Sequence, residues 1–151
     1  MNKKLVKKVA AICLFALPLL YLFPNIIIVT SRSIDKRVLW ITDAEPEKGD
    51  YVLFELAHEL VGDAPVKITK QIGCYAGDIL TVNNRSYYCN DEYLGYAKSK
   101  GLKGQPLPQF EFNGVIPDGM AFAYGSDKDS FDSKYWGFLN LENATKLEAL
   151  F

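Results

Sequence analysis

Hydrophobic positions along the chain fall into two regimes. From Val9 to Ser31 no residue is charged, and residues 9–29 read VAAICLFALPLLYLFPNIIIV. As a helix this stretch extends roughly 35 Å at ~1.5 Å per residue, enough to cross a ~30 Å hydrocarbon core. Pro18 and Pro24 would kink it, which a bilayer tolerates better than water does. Beyond Ser31 the apolar residues come in short runs rich in branched and aromatic side chains: 38–42, 51–54, 66–72, 79–82, 86–89, 120–124 and 135–139. Turn residues punctuate them at Lys48-Gly49-Asp50, Gly77-Asp78, Asn83-Asn84, Pro117-Asp118-Gly119 and Gly125-Ser126. Runs spaced roughly ten residues apart predict a mainly β, antiparallel and partly barrel-like domain behind one transmembrane helix. Further helix is expected only around 55–61 and near 143–150, and 98–109 reads as an exposed loop.

Charge sharpens this division. Lys3, Lys4, Lys7 and Lys8 precede the apolar stretch without an acid among them. A basic start favours an amino terminus left in the cytoplasm and a remainder on the far side of the membrane. Residues 1–31 are therefore expected as a basic start and single-pass anchor, and 32–151 as one exported domain. The competing reading, a cleaved secretory signal, calls for an apolar region of about 7–15 residues and a small-x-small site. Phe23-Pro24-Asn25-Ile26 offers no such site, and either reading exports the domain.

From Arg32 onward the chain carries 13 basic and 18 acidic residues, a net charge of −5, which argues against a generic nucleic-acid binder. One histidine, His58, excludes a histidine-rich zinc site and reads as a surface residue. Cys13 lies inside the apolar stretch, leaving Cys74 and Cys89 as a pair. In an oxidising compartment such a pair is expected to bridge, the alternative being two unconnected thiols.

The most informative run is Val66-Lys67-Ile68-Thr69-Lys70-Gln71-Ile72. Alternate side chains of a strand share a face, so Lys70 projects with Val66, Ile68 and Ile72 on the side that should be packed. Burial disfavours an ammonium and depresses its pKa, and a neutral amine can act as a general base. The pattern alone leaves open a lysine on an edge strand whose head reaches water.

Four segments together resemble the S26 serine/lysine signal peptidases. Lys70-Gln71-Ile72-Gly73-Cys74-Tyr75-Ala76-Gly77-Asp78 is similar to that family's K-R-x-x-G-x-P-G-D box. Ser31-Arg32-Ser33-Ile34 resembles S-x-S-M, and Gly49-Asp50-Tyr51-Val52 resembles G-D-x-V. Gly125-Ser126-Asp127-Lys128-Asp129-Ser130-Phe131-Asp132-Ser133-Lys134-Tyr135-Trp136-Gly137 resembles the long G-[DN]-x-x-x-S-x-D-S-R-Y-[FW]-G box. The compactness, the Ser33 to Trp40 spacing and the cysteine pair look most like the TraF-type peptidases of conjugal transfer.

The resemblance implies roles position by position. Ser33 would be the nucleophile and Lys70 the base that takes its proton and later passes it to the leaving group. The Ser33 N–H and the Ser31 hydroxyl would form the oxyanion hole. Ser130 would orient the Lys70 amine, and Asp132 and Lys134 would form a supporting ion pair. Val29, Ile34, Val38 and Ile68 flank these positions as expected pocket walls, with the substrate extended against a strand edge.

Departures from the pattern are Asp35 and Arg37, where TraF-type sequences carry Pro and Gly, Ala76 for proline, and Lys134 for arginine. Neither metal nor cofactor is expected. The acidic run 127–132 fails the calcium-loop pattern, having Phe131 and Phe138 where ligands are required. The expected protein is a single-pass bacterial inner-membrane peptidase with its catalytic domain in the periplasm. Its partners would be the lipid bilayer and a membrane-tethered precursor, a pilin or other exported protein, matured with or without cyclisation. The alternatives are a general signal peptidase I and a catalytically silent scaffold component of a secretion or conjugation apparatus.

Overall fold

The computed structural model describes residues 23–150 together with Ile12 and Leu14. Most of the expected anchor, and the basic start, lie outside the described residues. Among the described residues no helix is long and apolar enough to cross a membrane. The end of the expected anchor is a strand instead: β1 (Ile26–Ile28) pairs antiparallel with β2 (Val38–Ile41). Three consecutive isoleucines are branched at Cβ and suit a pleated, half-buried surface better than a helix.

The remaining strands are β3 (Tyr51–Leu56), β4 (Val66–Tyr75), β5 (Ile79–Asn83), β6 (Ser86–Cys89), β7 (Glu92–Tyr96), β8 (Gly114–Val115), β9 (Met120–Tyr124), β10 (Leu139–Asn140) and β11 (Thr145–Ala149). They form a seven-stranded sheet in the order β1-β2-β11-β3-β4-β9-β10 and a four-stranded sheet in the order β7-β6-β5-β8. Every pairing is antiparallel.

A bulge in β4 joins the two sheets. Ile72 stands opposite Ala123 and Cys74 opposite Phe122, so the register slips by one residue at Gly73. A slip of one turns the following side chain to the other face. Ile72 and Ala123 therefore pack with Val52, Phe54, Ala121 and Leu139. Cys74 and Phe122 pack with Leu80, Tyr87 and Cys89 of the smaller sheet. The Cys74 and Cys89 sulfurs are bonded, with Cα atoms 5.5 Å apart, stapling the two sheets. Gly73 fits this place because a Cβ there would lie 2.7 Å from the Tyr124 ring.

Three expectations for local structure are corrected. Residues 135–139 were expected as a strand, but α1 (Ser133–Trp136) is a single helical turn. Asp132 caps it, its carboxylate accepting from Lys134 N, and Gly137 at φ 94° ends it. A cap of this kind outweighs the strand preference of Tyr and Trp. Residues 55–61, expected as helix, finish β3 and turn through the Val61 N–H to His58 carbonyl bond. Residues 143–150, also expected as helix, hold β11, whose place between β2 and β3 overrides the helix preference of Lys, Leu, Glu and Ala.

Candidate active site

Lys70 lies in the middle of β4, opposite Val52 on β3 and on the face of Ile72. It is 3% exposed, so the packed-face reading holds and the edge-strand alternative does not. Its Nζ donates to Ser130 Oγ at 2.8 Å. Burial lowers its pKa from 10.5 to about 8; the Asp132 carboxylate pulls upward and the Lys134 charge pushes further down. The neutral amine is therefore about a tenth of the population at pH 7 and predominates above about pH 8.

Ser31 and Ser33 sit in the loop of the β1–β2 hairpin, which is closed by the Val29 N–H to Arg37 carbonyl bond of 2.9 Å. Ser31 Oγ donates to Ser33 Oγ at 3.2 Å, and the Ser33 N–H reaches Ser31 Oγ at 3.5 Å. At that length the N–H is only weakly engaged and can turn to another acceptor. Among the described residues no direct hydrogen bond joins Ser33 Oγ to Lys70 Nζ. Both nevertheless line one cleft of roughly 580 Å³, together with Ser31, Val29, Ile68 and Phe131. Val29 and Ile68 line its wall. Ile34 and Val38 do not: Ile34 turns into the core against Leu39 and Leu147, and Val38 is engaged with Ile28 across the hairpin.

A glycine unites these parts. A Cβ at Gly125 would collide with Ser130 Oγ and with the carbonyl oxygen of Ser33. Only a residue without a side chain lets the end of β9, the serine loop and Ser130 meet. Gly125 opens the long motif in the sequence, but motif membership alone gave no hint of this contact.

The long motif also supplies the support. Asp132, fully buried, pairs with Lys134 Nζ at 2.7 Å and accepts from the Gly125 N–H at 3.0 Å. Ser133 Oγ accepts from Ala123 N at 2.9 Å, fixing the turn on β9. The Gly49-Asp50 segment holds β4 from its other side: Gly49 N donates to the Ile72 carbonyl at 2.8 Å, and Ile72 N to the Asp50 carbonyl at 2.9 Å. Cys74, Asp78 and Cys89 place possible metal donors within 4.8 Å of one another, but the two sulfurs are bonded to each other. His58 rests edge-on against Phe131 at the cleft, ring centres 5.0 Å apart.

A hydroxyl and a buried, depressed amine facing one cleft is chemistry for acyl transfer without histidine or metal. The family model for signal peptidase, peptidase S26, matches residues 2–147. The chain belongs to the S26 signal peptidases. It is thus a serine endopeptidase that processes exported precursor proteins. Within the solved structures it is similar to a crystal structure of a signal peptidase I from Enterococcus faecalis, 20% identical, covering 73% of this chain and 99% of that one with a TM-score of 0.42. No curated protein matches it. Among this S26 peptidase's described residues, all four sequence motifs converge on the cleft or on the strands that frame it.

Proposed function

We propose that this signal peptidase cleaves by a Ser33–Lys70 dyad and matures a pilin precursor in conjugal transfer. The observation that carries the reading is the buried Lys70 amine sharing one cleft with the Ser33 hydroxyl. Ser33 Oγ attacks the scissile carbonyl and its proton passes to neutral Lys70. The amine then gives that proton to the departing nitrogen, leaving an acyl ester on Ser33. The Ser33 N–H and the Ser31 hydroxyl stabilise the oxygen that becomes negative. Ser130 directs the amine, and the Asp132–Lys134 pair fixes the turn bearing Ser130.

Among the described residues two strand edges bordering the cleft are unpaired: β1 has a neighbour only on its β2 side, and β4 gains its β9 neighbour only from Gln71 onward. An extended substrate lying between Ile27–Val29 and Lys67–Thr69 completes both edges by main-chain bonds. Val29 and Ile68 then meet small substrate side chains. The apolar stretch before β1 anchors the chain in the bacterial inner membrane, with the domain in the periplasm beside its membrane-tethered substrate.

The Ser33 to Trp40 spacing and the cysteine pair favour the TraF type over a general signal peptidase I. Mass spectrometry of a matured pilin tests this. The reading expects a new end formed after a small residue, either as a free carboxylate or closed onto the pilin's own amine with loss of water. Efficient maturation of unrelated secreted precursors with no pilin product would favour the general enzyme. Loss of no processing in any substrate upon deletion would favour the scaffold.

A further inference from the structure

Two charged residues of the serine loop have no task in the mechanism above. Asp35, two positions after Ser33, accepts a hydrogen bond from the Tyr51 hydroxyl at 2.6 Å. Arg37 Nη1 donates to the Ser31 carbonyl and, at 3.5 Å, to the Val29 carbonyl. Tyr51 opens β3, standing opposite Gln71, while the next residue, Val52, stands opposite Lys70. One side-chain bond therefore runs from the loop bearing the hydroxyl to the strand pair bearing the amine.

That connection matters because the two reacting groups do not hold each other. Ser33 Oγ bonds to Ser31 Oγ, so the gap to Lys70 is set by where the backbone of the loop lies. Asp35 is exposed and also meets Lys36 at 3.3 Å. An exposed bond of this sort adds little to stability, and its use is directional. The Tyr51 hydrogen bond holds the Asp35 carboxyl below its usual range, so it remains an acceptor at working pH. The Tyr51 ring itself packs against the Val29, Ile34, Leu39 and Leu147 cluster, which gives the strut a fixed base.

We propose that the Asp35–Tyr51 bond and the Arg37 clasp on the Val29 and Ser31 carbonyls form a latch that sets the Ser33 loop in register with the Lys70 strand. Asp35, Tyr51 and Arg37 are positioning residues, and the inference rests on the reading of Ser33 as nucleophile. A misplacement of the order of 1 Å in a reacting group costs up to about a hundredfold in rate.

Full-length protein in detergent, assayed on a fluorogenic peptide with an Ala-x-Ala cleavage motif, provides the test. Tyr51→Phe keeps the ring and removes only the hydroxyl. The latch predicts kcat reduced about tenfold or more, KM within about twofold, and an unchanged melting temperature and pH inflection. Asp35→Ala should give the same loss, the double variant no further loss, and Asp35→Asn, which retains an acceptor, a partial recovery. Hydrogen exchange should quicken in the segment 29–37 of Tyr51→Phe and stay unaltered elsewhere. Wild-type kcat in Tyr51→Phe, additive losses in the double variant, or unchanged exchange at 29–37 would overturn the latch. Ser33→Ala run alongside separates the two ideas: if it cleaves normally the nucleophile reading fails, whereas an inactive Ser33→Ala beside a fully active Tyr51→Phe sinks the latch alone.

Discussion

Replacing Lys70 with methionine keeps the reach of the side chain and removes its charge, and should yield a protein that is more stable and inactive. Lys70 titrates at about 8 in the folded protein against 10.5 for an ordinary lysine, with burial as the leading cause. A gap of roughly 2.5 pH units at ~1.4 kcal/mol each means that holding the ammonium in place costs about 3 kcal/mol. The sign follows from proton binding. Between about pH 8 and 10.5 the unfolded chain keeps a proton that the folded chain has released, so wild-type stability climbs with pH across that window and the deficit is complete below it. Methionine has no such deficit.

The variant forfeits the 2.8 Å bond to Ser130, which returns about 1 kcal/mol. The net gain near neutral pH is about 2 kcal/mol, a rise on the order of 5–10 °C in melting temperature for a domain of this size. Thermal unfolding of both proteins from about pH 6 to 10 measures it, with the difference shrinking as pH climbs through 8. In parallel, wild-type activity should rise with pH, reach half its plateau near 8 and level off above about 9 as the amine loses its proton. Methionine destabilising the protein at neutral pH, or a gap independent of pH, would refute the reasoning.

Two further substitutions probe the frame around the amine. Gly125→Ala drives a Cβ into Ser130 Oγ and the Ser33 carbonyl, so peptide cleavage should fall at least a hundredfold while circular dichroism stays that of a β protein. Asp132→Asn leaves the buried Lys134 ammonium without its counter-charge, and denaturant unfolding should show a loss of about 3–5 kcal/mol. An Asp132→Asn protein as stable as the wild type would mean that Lys134 finds another partner.

Strand order and helix content were unequally legible in the sequence. Runs of branched and aromatic residues between turn signals located β2, β3, β4, β5, β6 and β9, and alternation along β4 placed Lys70 on the packed face. The two-residue strands β8 and β10 carry too few positions for a period to show. β11 reads as helix locally and is a strand only because β2 and β3 leave a gap between them. The wall of the cleft was half legible: Val29 and Ile68 follow from nearness to the serine and the lysine. Ile34 turns inward at a bend that alternation does not describe. Asp35 and Arg37 stood out as departures from the motif, and their partners Tyr51 and the Val29 and Ser31 carbonyls became visible only in three dimensions.

The central claim is that one hydroxyl and one neutral amine carry the chemistry together. Membranes bearing full-length Ser33→Ala or Lys70→Ala, mixed with an exported precursor carrying a small-x-small cleavage site, test it most directly by gel mobility. The account predicts that wild-type membranes shorten the precursor while both variants leave it intact. Processing at the wild-type rate by either variant would contradict it.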